Sequence, residues 1–170
     1  MKKLFSTTLL FVIFFNVCVF AASARTVDES PAIIVNTNES ISYDNGNGTT
    51  TTVYPVREII SDVPQTRGTT KTTIGAVDAI NTDNGTGDEN WRYTLIGYFT
   101  YEEGVSCVCT NATHEVTISD DWWHFSDGAN TWSGNAAYGT GTFKYNVLFI
   151  TTKTLYIDLR IRCDSYGNFY

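Results

Sequence analysis

Cys107 and Cys109 stand two apart in the stretch GVSCVCTNATHEV (104–116), with His114 five positions after the second. That trio admits four chemistries: a metal site, a redox pair, a nucleophile with its base, or half of a disulfide. A zinc site would take His124 as its fourth ligand. Structural zinc needs four converging ligands, and the familiar cysteine spacing has two to four intervening residues rather than one on an extended strand. A cysteine nucleophile needs a base brought close in the fold, here His114 or His124, and no Asn or Asp is tied to either histidine by motif. The acid pairs Asp120-Asp121 and Glu102-Glu103 do not form a glycosidase dyad, because neighbours on a strand point to opposite faces. No catalytic constellation emerges, and neither a metal nor a cofactor is expected.

The strongest binding signal is aromatic. In SDDWWHFSDGANTW (119–132), Trp122, Trp123, His124, Phe125 and Trp132 fall within eleven residues. On one strand Trp122 and Trp123 must face opposite sides. A tryptophan turned outward can stack on a sugar ring or fill a partner's pocket. Trp123 and Trp132 lead the candidate contacts, followed by Tyr98, Tyr138 and Tyr145. The competing arrangement places one tryptophan in the core and the other beneath a loop over 127–134.

The elements that must position these residues read as strands. Short runs rich in Thr, Val, Ile and Tyr alternate with Asn, Asp and Gly clusters, the strand-and-turn signature. Candidate strands are 31–36, 40–44, 49–60, 70–77, 91–101, 105–110, 114–120, 122–126, 135–149 and 154–163. Turn signals lie at 44–48, 82–85, 102–104 and 127–128. In TLYIDLRIRC (154–163), Leu155, Ile157, Leu159 and Ile161 share one face and would be core, with Cys163 on the same side. Pro55 cannot donate to a ladder, so the 49–60 run becomes an edge strand or carries a bulge. Strands at this spacing without helices predict an all-β, antiparallel, immunoglobulin-like β-sandwich. Residues 88–170 form its core, and 25–87 supply further strands or a partly ordered arm.

Residues 1–24 read as a cleaved signal peptide. Lys2 and Lys3 precede an apolar run, and Ala22-Ser23-Ala24 fits a signal-peptidase site. The residues before Cys18, Phe-Asn-Val, lack the small residue that precedes a lipidated cysteine. Of the 170 residues, 146 would remain, enough for one domain. Cleavage removes two of 11 basic residues and none of the 18 acidic ones, taking the net charge from −7 to −9. That balance disfavours nucleic acid and anionic membrane surfaces. The expected location is secreted, extracellular or at a bacterial cell surface.

In an oxidising compartment Cys107, Cys109 and Cys163 can pair, and an odd count leaves one thiol over. Cys107 and Cys109 share a face with Cα atoms roughly 6.6 Å apart on an extended strand, too far for a direct bond. Cys163 is therefore the available partner. Strand parity does not choose between the two, since both would face the core. Closing residues 109 to 163 would enclose about 54 residues, worth roughly 4 kcal/mol in the chain-entropy account.

From about Trp91 onward the chain resembles a group of small, uncharacterised secreted β-sandwich proteins of clostridia and related Firmicutes. The residues that carry the resemblance are Tyr101, Gly104, Cys109 and Ala112, then Trp122 or Trp123, then Ile161, Cys163 and Gly167. The extra cysteine and the doubled tryptophan depart from that pattern. The resemblance implies a Cys109–Cys163 disulfide, leaving Cys107 as a free thiol able to form a covalent dimer. It implies no activity. The functional expectation is a secreted, non-catalytic binding module for a cell-wall glycan or a protein partner. The alternative is a bacteriocin-like antagonism effector acting at a competitor's envelope.

Overall fold

The computed structural model describes residues 39–59, 69–148 and 150–170. The signal segment and the candidate strand 31–36 lie outside them. The described chain is all-β, in two antiparallel sheets consistent with a β-sandwich. The first sheet holds β1 (Ile41–Asp44), β2 (Thr49–Val53), β3 (Arg57–Glu58), β4 (Thr70–Asp83), β5 (Glu89–Glu102) and β6 (Ser106–Ile118). The second holds β7 (Trp123–Ser133), β8 (Ala136–Val147) and β9 (Ile150–Arg162). Strands follow one another in the order β1-β2-β4-β5-β6 and β7-β8-β9, so each sheet is a meander. The Greek-key crossover of an immunoglobulin-like sandwich does not occur among the described strands. The segments 40–59 and 70–83 are thus strands of the first sheet rather than an arm.

Of the two outcomes expected at Pro55 the structure shows the interruption: β2 is paired on both sides, by β1 and β4, and only the short β3 beyond the proline is an edge. β2 pairs with Ala79–Asp83 and β3 with Gly75–Ala76 on the same edge of β4, and the register slips by one residue between them. The amides on either side stay bonded: Tyr54 N–H to Asp78 O at 2.9 Å and Ile59 N–H to Ile74 O at 2.8 Å. One run becomes a bulged strand around a residue that has no amide hydrogen to give.

Two strand boundaries differ from expectation. Segments 105–110 and 114–120 are one strand, β6, carrying a bulge where Thr110 has no partner between Cys109↔Phe99 and Asn111↔Tyr98. Asp127-Gly128 is not a turn; it lies inside β7, just past a second bulge at Ser126. A bulge needs the same small and polar residues as a turn but leaves the strand running, and composition does not separate the two. The turn that follows β7 is at Gly134-Asn135 instead.

The core lies between the sheets. Val77, Trp91, Tyr93, Leu95 and Phe99 of the first sheet meet Trp123, Phe143, Ile157, Leu159 and Ile161 of the second, all buried. The alternation of Leu155, Ile157, Leu159 and Ile161 is therefore as expected, and Cys163 is buried with them. β8 presents Gly139 and Gly141 inward. A Cβ at Gly139 would sit 2.7 Å from Leu95 Cδ1 and 2.8 Å from Tyr93 Oη. The missing side chain is what lets the Tyr93 ring cross to the second sheet, where its hydroxyl donates to Thr140 O at 3.1 Å.

Beyond β9 the chain turns back as a C-terminal hairpin. Asp164 Oδ1 accepts the amides of Tyr166 and Asn168, and Tyr170 exchanges backbone bonds with Arg162. Phe169 is thereby set edge-on to Phe99, with ring centroids 5.6 Å apart. It lies where a Cβ at Gly75 would be 2.7 Å from its ring.

Candidate functional site

A concave surface lies at the end of the sandwich where β5 begins and β8 finishes. A cavity of about 390 Å³ is lined by the β1–β2 turn (Gly46, Asn47, Thr49), by Asp83, Asn90 and Asp120, and by Trp123, Tyr145 and Lys153. A second, of about 560 Å³, adjoins it through Asp83, Asn90 and Asp120 and continues past Asp88, Glu89, Asp121 and Trp122. Together they make one cleft with an aromatic rim.

Behind its lining residues Asn47, Thr49 and Asn90 lies a preorganised polar network. Asn81, fully buried, donates from Nδ2 to the hydroxyls of Thr49 and Thr51, each at 3.1 Å. Asn45 donates to the same two hydroxyls at 3.1 and 3.0 Å, and Asn90 donates to Asn81 Oδ1 at 2.8 Å. Thr49 in turn donates to Asn47 Oδ1 at 2.7 Å. Buried amides satisfied this fully hold fixed positions, because any rotation would strand a donor out of water. The β1–β2 turn is tied to the opposite sheet by Lys153 Nζ, which donates to Asn45 O at 2.7 Å.

Five carboxylates border the cleft. Asp83 accepts the amides of Gly85 and Thr86 at 2.8 and 2.9 Å. Those bonds, Thr86's first, lower its pKa below the ordinary carboxylate value. Asp83 is thus an anion at neutral pH and unsuited to general-acid work. Glu89 is neutralised by Arg92, at 2.7 Å and 3.3 Å, leaving Asp88, Asp120 and Asp121 as the other acids of the rim.

Trp122 stands at this rim, 49% exposed. Its backbone is held from both sides: its amide donates to Asp120 Oδ1 at 3.0 Å, and its carbonyl accepts from Asn146 at 2.8 Å. The indole is a half-open apolar face on a backbone held at both ends, beside fixed polar groups, the usual make-up of a small-ligand site.

The candidates read from sequence are distributed differently than expected. Of the tryptophan pair it is Trp122 that faces solvent. Trp123 is 2% exposed, edge-on to Trp91 at 6.1 Å and tilted against Tyr145 at 5.3 Å, so it serves as core and as cleft floor. Tyr145 lines the cleft with it. Trp132 is 47% exposed but lies at the far end of β7. Nine residues of strand, roughly 30 Å at the usual rise, separate it from Trp123. Tyr98 and Tyr138 belong to the non-core parity of β5 and β8 and lie on the two opposite outer faces. The five residues therefore do not form one platform. Trp123 opens β7 facing the core, while Trp122 belongs to the turn before it, so the exposed member of the pair is Trp122 rather than the expected Trp123.

His114 is far from thiol chemistry. Its ring stacks on Tyr93 at 5.2 Å, and its Nδ1 lies 3.0 Å from Asn130 Oδ1 across to β7. His124 is on the opposite, exposed face of β7. Among the described residues no group of three His, Cys, Asp or Glu side chains is placed to hold a metal ion.

The three cysteines meet at the other end of the sandwich. Cys107 pairs across to Tyr101 and Cys109 to Phe99, while Cys163 bridges Phe169. All three are thiols, with no disulfide formed between Cys109 and Cys163. Burial raises each thiol's pKa above the usual value, most strongly at Cys163, where the neighbouring Cys107 adds to it. No protein-family model, curated protein or solved structure matches the chain.

Proposed function

We propose that this is a secreted, non-catalytic binding module whose ligand seats in the cleft beside Trp122, and that the ligand is a cell-wall glycan. The observation that carries this reading is the half-exposed Trp122 mounted at the edge of a cleft walled by fixed Asn and Thr groups. A sugar presents an apolar ring face to the indole and hydroxyls to amides and carboxylates, which matches both parts of the site. Secretion rests on the basic-apolar-small pattern of residues 1–24 and on the net acidic charge.

The test is co-sedimentation of the purified protein with peptidoglycan and with insoluble neutral polysaccharides. Retention that is lost in Trp122→Ala and kept in Trp132→Ala, with no reducing sugar released, is the expected result. Absence of retention on every glycan, or release of product, overturns the reading. Killing of related strains by the purified protein would instead favour an envelope-directed effector.

A further inference from the structure

The cysteine end carries an inference independent of the cleft. Three observations bring the C-terminal hairpin against β6. The Cys109 amide donates to Gly134 O at 2.8 Å and the Cys163 amide to Asn135 O at 3.1 Å, so one turn clamps both strands. Gly104 N–H donates to Ser165 O at 3.0 Å. A Cβ on Gly167 would meet the ring of Tyr101, the cross-strand partner of Cys107, at 2.7 Å.

The sulfurs then separate by what they face. The Cys109 thiol is turned along its own strand, toward the Asn111 carbonyl at 3.3 Å. The Cys163 thiol donates to Asp164 O at 3.4 Å, and of the two β6 thiols it is Cys107 that neighbours its side chain. Cys107 is also the least buried of the three. Being two apart on an extended strand, Cys107 and Cys109 are too far from each other to bond.

We propose that under oxidising conditions the covalent link of this protein is Cys107–Cys163, stapling β6 to the C-terminal hairpin, and that Cys109 is the retained, buried thiol. The pairing implied by resemblance, Cys109–Cys163, gives way to it. The oxidant is a low-molecular-weight disulfide, RSSR. Cys107, as thiolate, attacks one sulfur of RSSR, and RS⁻ leaves and takes up a proton as RSH. The Cys163 thiolate attacks the Cys107 sulfur of the mixed disulfide, and a second RSH departs. Two protein thiols are oxidised and one RSSR is reduced. With Cys107 consumed, the one thiol left among the described residues is the buried Cys109.

The experiment oxidises the chain from Arg25 to Tyr170, which lacks Cys18, with glutathione disulfide and maps peptides without reduction. The expected product is a monomer with a Cys107–Cys163 peptide, formed equally by Cys109→Ser and not by Cys107→Ser. Alkylation of that product should label Cys109 alone, and only after unfolding. A Cys109–Cys163 peptide, a Cys107-linked dimer, a persistent glutathione adduct or Cys107 and Cys163 left as thiols would each overturn the proposal. If Cys107→Ser does not fold, the wild-type map and alkylation pattern decide the matter by themselves.

Discussion

Trp91 lies flat on Phe143 across the two sheets, with ring centroids 3.8 Å apart and planes 8° from parallel. Trp123 and Phe125 close around the pair at 6.1 Å from Trp91 and 5.3 Å from Phe143. This aromatic stack fills the space between β5 and β8 directly behind the cleft. Phe143→Ala should therefore cost about 3–5 kcal/mol, the usual price of emptying an aromatic site in a rigid core. Urea unfolding read by fluorescence and circular dichroism checks it. A loss below about 1 kcal/mol would mean the core collapses onto the gap and the stack holds little together.

Gly139 offers the opposite test, of space rather than bulk. An added methyl there has Leu95 Cδ1 at 2.7 Å and Tyr93 Oη at 2.8 Å to displace. Tyr93 can give way only by losing its bond to Thr140 O. Gly139→Ala should destabilise by about 1–3 kcal/mol through overpacking. Thr140→Ala, on the exposed face next door, should stay within about 0.5 kcal/mol of wild type. Equal effects at the two positions would contradict the placement of the β8 glycines against the first sheet.

Much of this fold can be read from one-dimensional pattern, and the reason is specific. Residues 155–161 bury one face only, so period-two alternation is enforced and visible. Residues 91–99 give the same signal with aromatics on both faces. Connectivity was less legible, because alternation says which face is buried but not which strand lies beside which. The bulges at Thr110 and Ser126 were hidden for a related reason: each shifts parity by one residue without any Gly or Pro of its own to announce it. The cleft was the least legible part. Its lining joins Asn47 and Thr49 of the β1–β2 turn to Asn90, backed by the buried Asn81, from three places in the chain, in stretches that read from sequence only as polar and turn-rich.

Trp122 and Trp123 are neighbours in sequence and should behave as opposites. Trp122→Ala removes a half-exposed indole whose backbone bonds remain, so stability should change by no more than about 0.5 kcal/mol while glycan retention is lost. Trp123→Ala empties a buried site and should cost about 3–5 kcal/mol. Thermal or urea unfolding of both variants, run beside the co-sedimentation assay, separates the roles. Loss of retention in Trp123→Ala alone would place the ligand deeper, toward Tyr145.

The thiol cluster makes the reduced protein sensitive to alkali. Burial holds the pKa of Cys107, Cys109 and Cys163 above the ordinary thiol value, and burial followed by Asp158 does the same for Tyr93. These groups are neutral when protonated. Below the ordinary thiol value both native and unfolded chains keep their protons, and the native state loses nothing. As pH rises past it, the unfolded chain releases protons that the native chain still holds, so stability falls with pH until the folded groups ionise in turn. The urea midpoint of fully reduced protein should therefore decline between about pH 8 and about pH 10. Oxidation that joins Cys107 to Cys163 removes two of the three thiols from this titration, and the decline should become shallower. A reduced protein whose midpoint is flat over that range would show that the thiols are hydrated in the native state. The cysteine end would then be open to water rather than packed beneath the C-terminal hairpin.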